Sequence, residues 1–391
     1  MALPDPRDRP APIRADEELD LAALSGYLRE HLPGFAGQIE VLQFPSGFSN
    51  LTYLVRLEDD GGEREVVLRR PPFGSRVRSA HDMAREFRVL SGLVRVWSKV
   101  PRALLYCDDP EVLGAPFYLM ERVPGVILRS RPPAGVELTP EVLRGLSESF
   151  AAAFAELHGL DYAAAGLADL GRPEGYAERQ VRGWTERYLA ARTDDVPEIE
   201  RTAAWLVENL PGRELSGASA DVATGQRSEE GREAPGGTRA ALVHNDFKYD
   251  NLVLDPADLT RIVAVLDWEM ATVGDPLMDL GSSLAYWIEP DDPEELRSPA
   301  VPQLTALPGS LSRSELVAAY ERASGRAVPD PIFYFAYGQL KLAGIVQQIY
   351  YRYRRGATAD PRFAGLGALV RACGRAALLA IEKGRIDRLT L

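Results

Sequence analysis

The sequence predicts an α+β protein in two unequal parts, a strand-rich first part and a larger, mainly helical second part. Three observations predict it. Between Ile39 and Arg69, short runs of β-branched and apolar residues alternate with turn residues. From about Leu138 onward, apolar residues recur mostly at helical spacing. Inside that helical part, Leu242–Trp268 returns to two short apolar runs separated by a turn, the pattern of a small hairpin.

Glu17–Leu32 is expected to be a helix, because Leu19, Leu21, Leu24, Tyr27, Leu28 and Leu32 fall near helical spacing. Ile39–Phe44, Leu51–Leu57 and Glu65–Arg69 are expected strands, with turns at Ser46-Gly47 and Asp59-Asp60-Gly61-Gly62. His81–Trp97 reads as a helix, and Phe117–Val123 as a strand broken by Pro124-Gly125. The hairpin strands are Leu252–Leu254 and Ile262–Leu266. Pro211–Arg239 contains no aromatic residue and can bury too little to offset its ordering entropy, so a disordered loop is expected there. There is no tandem repeat. The expected division is an N-terminal extension with a helix (1–34), a first lobe (35–123) and a second lobe (124–391).

A length of 391 residues allows two or three domains or one large bilobed unit. The net charge of −12 argues against a general nucleic-acid coat protein, which needs clustered positive charge. Hydrophobic residues at 46% and charged residues at 26% argue against global disorder. Cys107 and Cys373 are the only cysteines, which excludes a four-cysteine zinc site and a disulfide-dense scaffold and makes a reducing compartment the expectation. Met1–Ala15 lacks the apolar run of a secretory signal, and no stretch approaches the roughly 18 uninterrupted apolar residues of a membrane span. A cytoplasmic protein with neither nucleic acid nor membrane as partner is expected. Four of the 45 basic residues are lysine (Lys99, Lys248, Lys341 and Lys383), so any role that needs a lysine has four candidates.

The chemistry concentrates in His244-Asn245-Asp246-Phe247-Lys248-Tyr249-Asp250-Asn251 and, sixteen residues after Asn251, in Asp267. Asp, Lys two residues later, Asn five residues later and a further Asp beyond a hairpin form a phosphoryl-transfer arrangement. One carboxylate must orient an acceptor hydroxyl and take its proton. An Asn oxygen and a second carboxylate must hold Mg²⁺ against nucleotide phosphates, and a cation can offset charge on the group in transfer.

These residues resemble the protein-kinase-like superfamily, and within it the aminoglycoside and choline phosphotransferases. His244–Asn251 is similar to their His-x-Asp-x-x-x-x-Asn loop, and Gly274-Asp275-Pro276-Leu277-Met278-Asp279-Leu280 to their Gly-Asp-Pro-x-x-Asp-Leu segment. Asn245 stands where that branch commonly has Gly. The resemblance implies a bilobed kinase-like fold: a small N-terminal lobe with an antiparallel sheet and helix, and a larger, mainly helical C-terminal lobe. It implies Asp246 as catalytic base, Asn251 and Asp267 as Mg²⁺ ligands, and His244 and Asp279 as braces of the loop. Lys248 falls where Ser/Thr protein kinases carry a phosphate-contacting lysine. Glu269 is a candidate for metal or substrate contact.

The N-terminal lobe is then expected to hold the nucleotide, ATP or alternatively GTP. Ser46, Gly47, Ser49 and Asn50 lie where the family has a phosphate-covering loop, and small residues there let backbone N–H groups approach phosphate. The family's strand lysine is absent: Val66-Val67-Leu68 ends in Arg69, with Arg70 as fallback and Glu86 as the expected partner. Arginine offers a planar fork in place of a point charge. Gly61–Arg102 carries ten basic and four acidic residues, a local excess suited to a polyanion. Phe117–Gly125 resembles the kinase hinge, with backbone groups near Glu121 and Val123 for adenine and Met120 bordering the pocket.

Leu68–Pro72, Gly114–Glu121 and Tyr351–Gly356 are similar to the kinase-like domain fused to some acyl-CoA dehydrogenases and to its stand-alone bacterial relatives. That resemblance implies phosphorylation of a hydroxyl on 4-hydroxy acids or their CoA thioesters. Lys341, Ile345, Gln348, Arg352 and Arg355 share one stripe if they lie on a helix. Such a basic, amide-bearing stripe suits an anionic acyl acceptor, whereas an aminoglycoside wants an acidic wall. The alternatives are an antibiotic kinase, a nucleotide-binding module without catalysis, and a protein kinase. Intact Asp246, Asn251 and Asp267 weigh against the second, and the compact His244–Asp267 unit without an Ala-Pro-Glu segment against the third.

Overall fold

In the computed structural model, which describes residues 8–44, 50–59, 62–73, 82–211, 240–297, 303–358 and 360–390, the strand-rich part is a five-stranded antiparallel sheet. Its strands are β1 (Phe35–Gln43), β2 (Leu51–Asp59), β3 (Gly62–Arg70), β4 (Ala103–Cys107) and β5 (Phe117–Glu121), in the order β1-β2-β3-β5-β4. Ser46, Gly47 and Ser49 lie outside the described residues, as does most of the expected 211–239 loop.

Register sets the two faces of this sheet. Leu54 opposes Val67, and Val67 opposes Met120, so these residues share one face. Tyr53, Leu68 and Leu119 are likewise matched on the other. The second face is covered by α1 (Leu21–His31), through Leu24 and Leu28. Asp20 caps that helix by accepting from the Ala22 and Ala23 N–H groups. The expected extension is therefore a covering helix that shares the sheet's core. The first face receives α2 (Met83–Leu93), which starts at the Asp82 cap and buries Met83, Val89, Leu90 and Leu93. A short helix, α3 (Pro110–Leu113), precedes β5.

The second part holds α4 (Pro140–Gly159), α5 (Tyr176–Ala191), α6 (Pro197–Glu208), α7 (Pro276–Tyr286), α8 (Arg313–Ser324), α9 (Pro331–Arg354) and α10 (Leu366–Lys383). Between α6 and α7 lie β6 (Ala241–Val243), the hairpin β7 (Leu252–Asp255) and β8 (Asp258–Val265), and β9 (Thr272–Gly274), which pairs with β6. The stretch Pro361–Lys383 is long and apolar enough to cross a bilayer by length and composition, yet 67% of its apolar window is buried. It packs against α9 and α6 as a core helix.

One helix crossing positions the site. A Cβ on Gly338 of α9 would lie 2.0 Å from the Gly281 carbonyl oxygen of α7, and one on Gly281 would lie 2.1 Å from the Tyr334 carbonyl oxygen. Only glycine at both places permits this approach. It brings the next turn of α9 against the loop that follows β6.

Candidate active site

The loop after β6 begins at His244, and its conformation is fixed from several sides. Asp279 on α7 accepts from the backbone N–H groups of His244 (2.6 Å) and Asn245 (2.7 Å). His158 on α4 approaches the same carboxylate at 3.3 Å, and its other ring nitrogen meets the Tyr320 hydroxyl of α8. Burial opposes the charge of Asp279, but the hydrogen bond from His158 and the surrounding positive groups outweigh it and hold its pKa below the ordinary value. His244 Nε2 lies 2.9 Å from the Leu266 carbonyl, and its Nδ1 accepts from the Asp246 N–H at 3.2 Å. Those two bonds assign the neutral tautomer with the proton on Nε2. Burial also pushes the His244 pKa down.

Asn245 has φ of +67°. That left-handed conformation suits glycine and, among side-chain residues, asparagine. It explains why Asn replaces the family's Gly at this position. The side chain is also used: Nδ2 donates to the Met270 carbonyl (3.1 Å) and to the Tyr176 hydroxyl (3.2 Å).

Asp246 follows, with its side chain partly exposed. Asn251 Nδ2 donates to the Asp246 carbonyl at 2.8 Å and to its Oδ2 at 3.0 Å. Lys248 Nζ lies 3.0 Å from the same Oδ2 and 3.8 Å from Asp250, and sits 4.7 Å from the centre of the Tyr286 ring. Burial works against the Lys248 charge, but Asp246, Tyr286 and Asp250 outweigh it and raise its pKa well above the lysine value. Lys248, Asp250, Ser283, Tyr286 and Trp287 line a small cavity beside the loop. Among the described residues, the buried Asp250 Oδ1 and Ser283 Oγ find no hydrogen-bond partner there.

Asp267 arrives through the hairpin, because the Leu266 N–H donates to the Asn251 carbonyl at 2.8 Å. It too is left-handed, with φ of +69°. Arg69 reaches it from β3. Since Arg69 shares strand parity with Val67 and opposes Tyr118, it points to the α2 face of the sheet, while Arg70 turns to the other face and stacks on Phe73. Arg69 Nη1 lies 2.7 Å from Glu86 Oε1, and Nη2 lies 2.9 Å from Asp267 Oδ1. The same Glu86 oxygen accepts from the Trp268 N–H at 3.2 Å. Burial opposes ionisation of Asp267, but Arg69 outweighs it and lowers its pKa.

Asn50, expected at the phosphates, and Glu269, expected at metal or substrate, meet each other: Asn50 Nδ2 donates to Glu269 Oε2 at 2.8 Å across the cleft. At the expected hinge, Met120 is buried beside Val67, and the Glu121 N–H donates to the Arg102 carbonyl. Val123 packs on the cluster of Ile127, Val253 and Ala264.

The α9 stripe departs from expectation. Lys341 is 2% exposed, and its ammonium donates to the Asn245 carbonyl (2.5 Å), to Asn245 Oδ1 (3.4 Å) and to Ser282 Oγ (3.1 Å). Gln348 Nε2 donates to the Gly344 carbonyl of its own helix, Arg352 is exposed, and Arg355 lies over the Tyr351 ring. The stripe is one face in sequence, but it runs from the buried His244–Asn251 loop out to solvent and does not form a single wall.

Among the described residues, no cluster of three or more His, Cys, Asp or Glu is placed to hold a metal by itself. The donors nonetheless suit Mg²⁺, which takes one or two protein oxygens and completes its shell with phosphate and water. Asn251 spends its amide nitrogen on Asp246 and keeps its carbonyl oxygen, while Asp267 has one oxygen on Arg69 and keeps the other.

A five-stranded lobe joined to a helical lobe, with an Asp-x-Lys-x-x-Asn loop and a second Asp in the cleft, defines a phosphotransferase of kinase-like fold. Residues 40–306 match the phosphotransferase enzyme family, and the chain belongs to it. Its members transfer phosphate from a nucleotide to small-molecule hydroxyls. The chain is 36% identical over 351 residues to acyl-CoA dehydrogenase family member 11 of Rattus norvegicus, covering 88% of this chain and 41% of that protein. It is 31% identical over 367 residues to a probable acyl-CoA dehydrogenase of Arabidopsis thaliana, covering 91% and 42%. The chain thus spans about two-fifths of the length of these relatives. A Ralstonia eutropha structure, provisionally described as an aminoglycoside phosphotransferase, superposes with a TM-score of 0.70 at 28% identity, covering 92% of this chain and 99% of that one. Choline kinase from Cryptosporidium parvum shares the fold, with a TM-score of 0.54 at 15% identity over 95% and 98%.

Sequence reasoning missed His158, Tyr176 and Arg85. His158 braces Asp279 and Tyr176 braces Asn245, while Arg85 Nη2 ties α2 to the Ala271 carbonyl at 2.6 Å. Each sits on a helix far from the loop in sequence, where nothing local marks it.

Proposed function

We propose that this protein phosphorylates a hydroxyl of a small anionic acyl compound, a hydroxy acid or its CoA thioester, with ATP as donor and Mg²⁺ as cofactor. The observation that carries the reading is the Asp246 carboxylate, held by Lys248 and Asn251 at 3.0 Å each and left partly open to the cleft. Asp246 orients the acceptor hydroxyl and takes its proton as the new O–P bond forms and the bond to the leaving nucleotide breaks. Asn251 and Asp267 would hold Mg²⁺, which would supply charge neutralisation at the donor phosphates. Arg69 fixes Asp267 and ties it to α2 through Glu86. Catalysis in this scheme is mostly positioning and charge stabilisation.

One feature favours an acyl acceptor over a polycationic one: relatives 31–36% identical to this chain carry acyl-CoA dehydrogenase names.

The test is ADP release with Mg·ATP across hydroxyacyl-CoAs, free hydroxy acids, aminoglycosides and choline. Turnover with the acyl acceptors is expected, and turnover confined to aminoglycosides overturns the substrate reading. Asp246→Ala is expected to lower kcat by about 10³-fold or more with ATP binding retained. Near wild-type turnover in that variant sinks the base assignment.

A further inference from the structure

Lys341 is a buried cation beside the His244–Asn251 loop that the scheme above leaves without a role. It stands on α9, one turn beyond Gly338, and Ser282 follows Gly281 on α7. The close glycine crossing therefore sets both residues against the catalytic loop. Three acceptors meet the ammonium: the Asn245 carbonyl, Asn245 Oδ1 and Ser282 Oγ. An ammonium has three N–H donors, so the set is complete only when Lys341 is charged. The Asn245 carbonyl belongs to the peptide that leads into Asp246, and Asn245 is the left-handed residue of the turn.

We propose that Lys341 is the positioning residue of this loop: its ammonium clamps the turn at Asn245 and so aims the Asp246 carboxylate into the cleft. The inference rests on the reading of Asp246 as base, and it separates Lys341 from the substrate contacts expected of its stripe.

The surroundings of Lys341 make the clamp sensitive to pH. Burial in the wall between α7 and α9 pushes its pKa down, the negative charges of Asp279 on α7 and Asp246 on the loop push it up, and Lys248 pushes it down again. The other neighbours are the Trp184 ring of α5, 6.0 Å from Nζ, and the Tyr176 hydroxyl of α5, which shares Asn245. The net result is a pKa lowered to about 8, against 10.5 for a free lysine. Because the folded value is the lower one, the unfolded chain binds more protons between these two pH values. The contribution of this group to stability therefore rises with pH across that window. Deprotonation nevertheless leaves three acceptors with two donors. Activity is expected to fall above about pH 8 while the group itself does not destabilise the fold.

The test uses the full chain with Mg·ATP and 4-hydroxybutyrate, wild type against Lys341→Met and the milder Ser282→Ala. In Lys341→Met, kcat is expected to fall about 100-fold, since a misaimed base costs that order. The KM for ATP should stay within about threefold, because no nucleotide contact is removed. The alkaline limb of the wild-type kcat profile near pH 8 should be absent from the residual activity of Lys341→Met. Hydrogen exchange of the 244–251 segment should quicken by about tenfold in Lys341→Met and less in Ser282→Ala, with the exchange of β1–β5 unchanged. Unchanged exchange of that segment, or a wild-type-like kcat and pH limb in Lys341→Met, overturns the proposal. If the wild type turns over no acceptor, the reading of function fails, and the exchange experiment still decides the clamp.

Discussion

Every described brace of the His244–Asn251 loop comes from the helical lobe, whereas Arg69, Glu86 and Asp267 come from β3, α2 and the end of the β7–β8 hairpin. The loop is held largely by hydrogen bonds to backbone groups, from Asp279, His244, Asn251 and Lys341. The other cluster is held by side-chain ion pairs, Arg69–Glu86 within the first lobe and Arg69–Asp267 across the cleft. A loop braced within one lobe keeps its shape wherever the lobes stand. A cluster drawn from both lobes exists only when they are closed on each other. The Asp246 carboxylate is thus pre-positioned, and the Asp267 side of the site reports interlobe geometry.

The largest effect should come from the cross-lobe cluster. Arg69→Met leaves Glu86, 1% exposed, without its cation. Removing one member of a buried ion pair costs about 3–5 kcal/mol, because the other charge stays desolvated. Chemical denaturation should show that loss, with the KM for ATP raised as well. The double variant Arg69→Met with Glu86→Leu should recover much of the stability but not the activity. If Arg69→Met alone is as stable as wild type, the cluster is not the interlobe tie described here. Arg69→Lys should fall between, since a single ammonium cannot match the fork that spans Glu86 and Asp267.

The same contrast explains what the sequence revealed. Asp246, Lys248 and Asn251 are legible because one short loop carries them, and Asp267 follows one hairpin later. Arg69 was legible through the resemblance, as the residue ending the strand where the family has its lysine, and the register of β3 then sets it, and not Arg70, on the α2 face. The pairing of Asn50 with Glu269 was not, because 219 positions separate them and only the fold brings them together. Nor was the burial of Lys341: helical periodicity places it on a stripe but does not say which end of the stripe meets another element. Strand β4 was missed for a local reason. Ala103–Cys107 is a short continuous apolar run, in which helix and strand cannot be told apart by period. The helix expected over His81–Trp97 is shorter, Met83–Leu93, because Asp82 caps its start and the chain turns after Val94.

A smaller effect tests the loop's independence. Asn245→Gly keeps the left-handed turn but loses the bonds to Met270 and Tyr176 and one acceptor of the Lys341 ammonium, at a cost of about 1–3 kcal/mol. Asn245→Val loses the same bonds and adds about 1–2 kcal/mol of backbone strain, because a β-branched residue resists positive φ. Thermal unfolding should rank wild type, Gly and Val in falling order, and kcat should follow. Both variants should leave the KM for ATP nearly unchanged if the loop is braced within its own lobe. A parallel rise in that KM would show that loop and cleft are coupled after all.

The smallest effect belongs to the Asn50–Glu269 bond, a polar, partly buried contact between the two lobes. Asn50→Ala removes the donor and leaves Glu269 able to turn toward water, so its stability cost should stay below about 1 kcal/mol. The bond nevertheless joins the last residue of the expected phosphate loop to the segment that follows Asp267. Its loss should therefore appear in nucleotide affinity before it appears in turnover, as a KM for ATP raised about two- to fivefold with kcat held. Glu269→Gln keeps an acceptor for Asn50 and should show less of this change. Were Glu269→Gln to lower kcat strongly while Asn50→Ala did not, Glu269 would act on metal or substrate in its own right, and the contact with Asn50 would be incidental to the closed cleft.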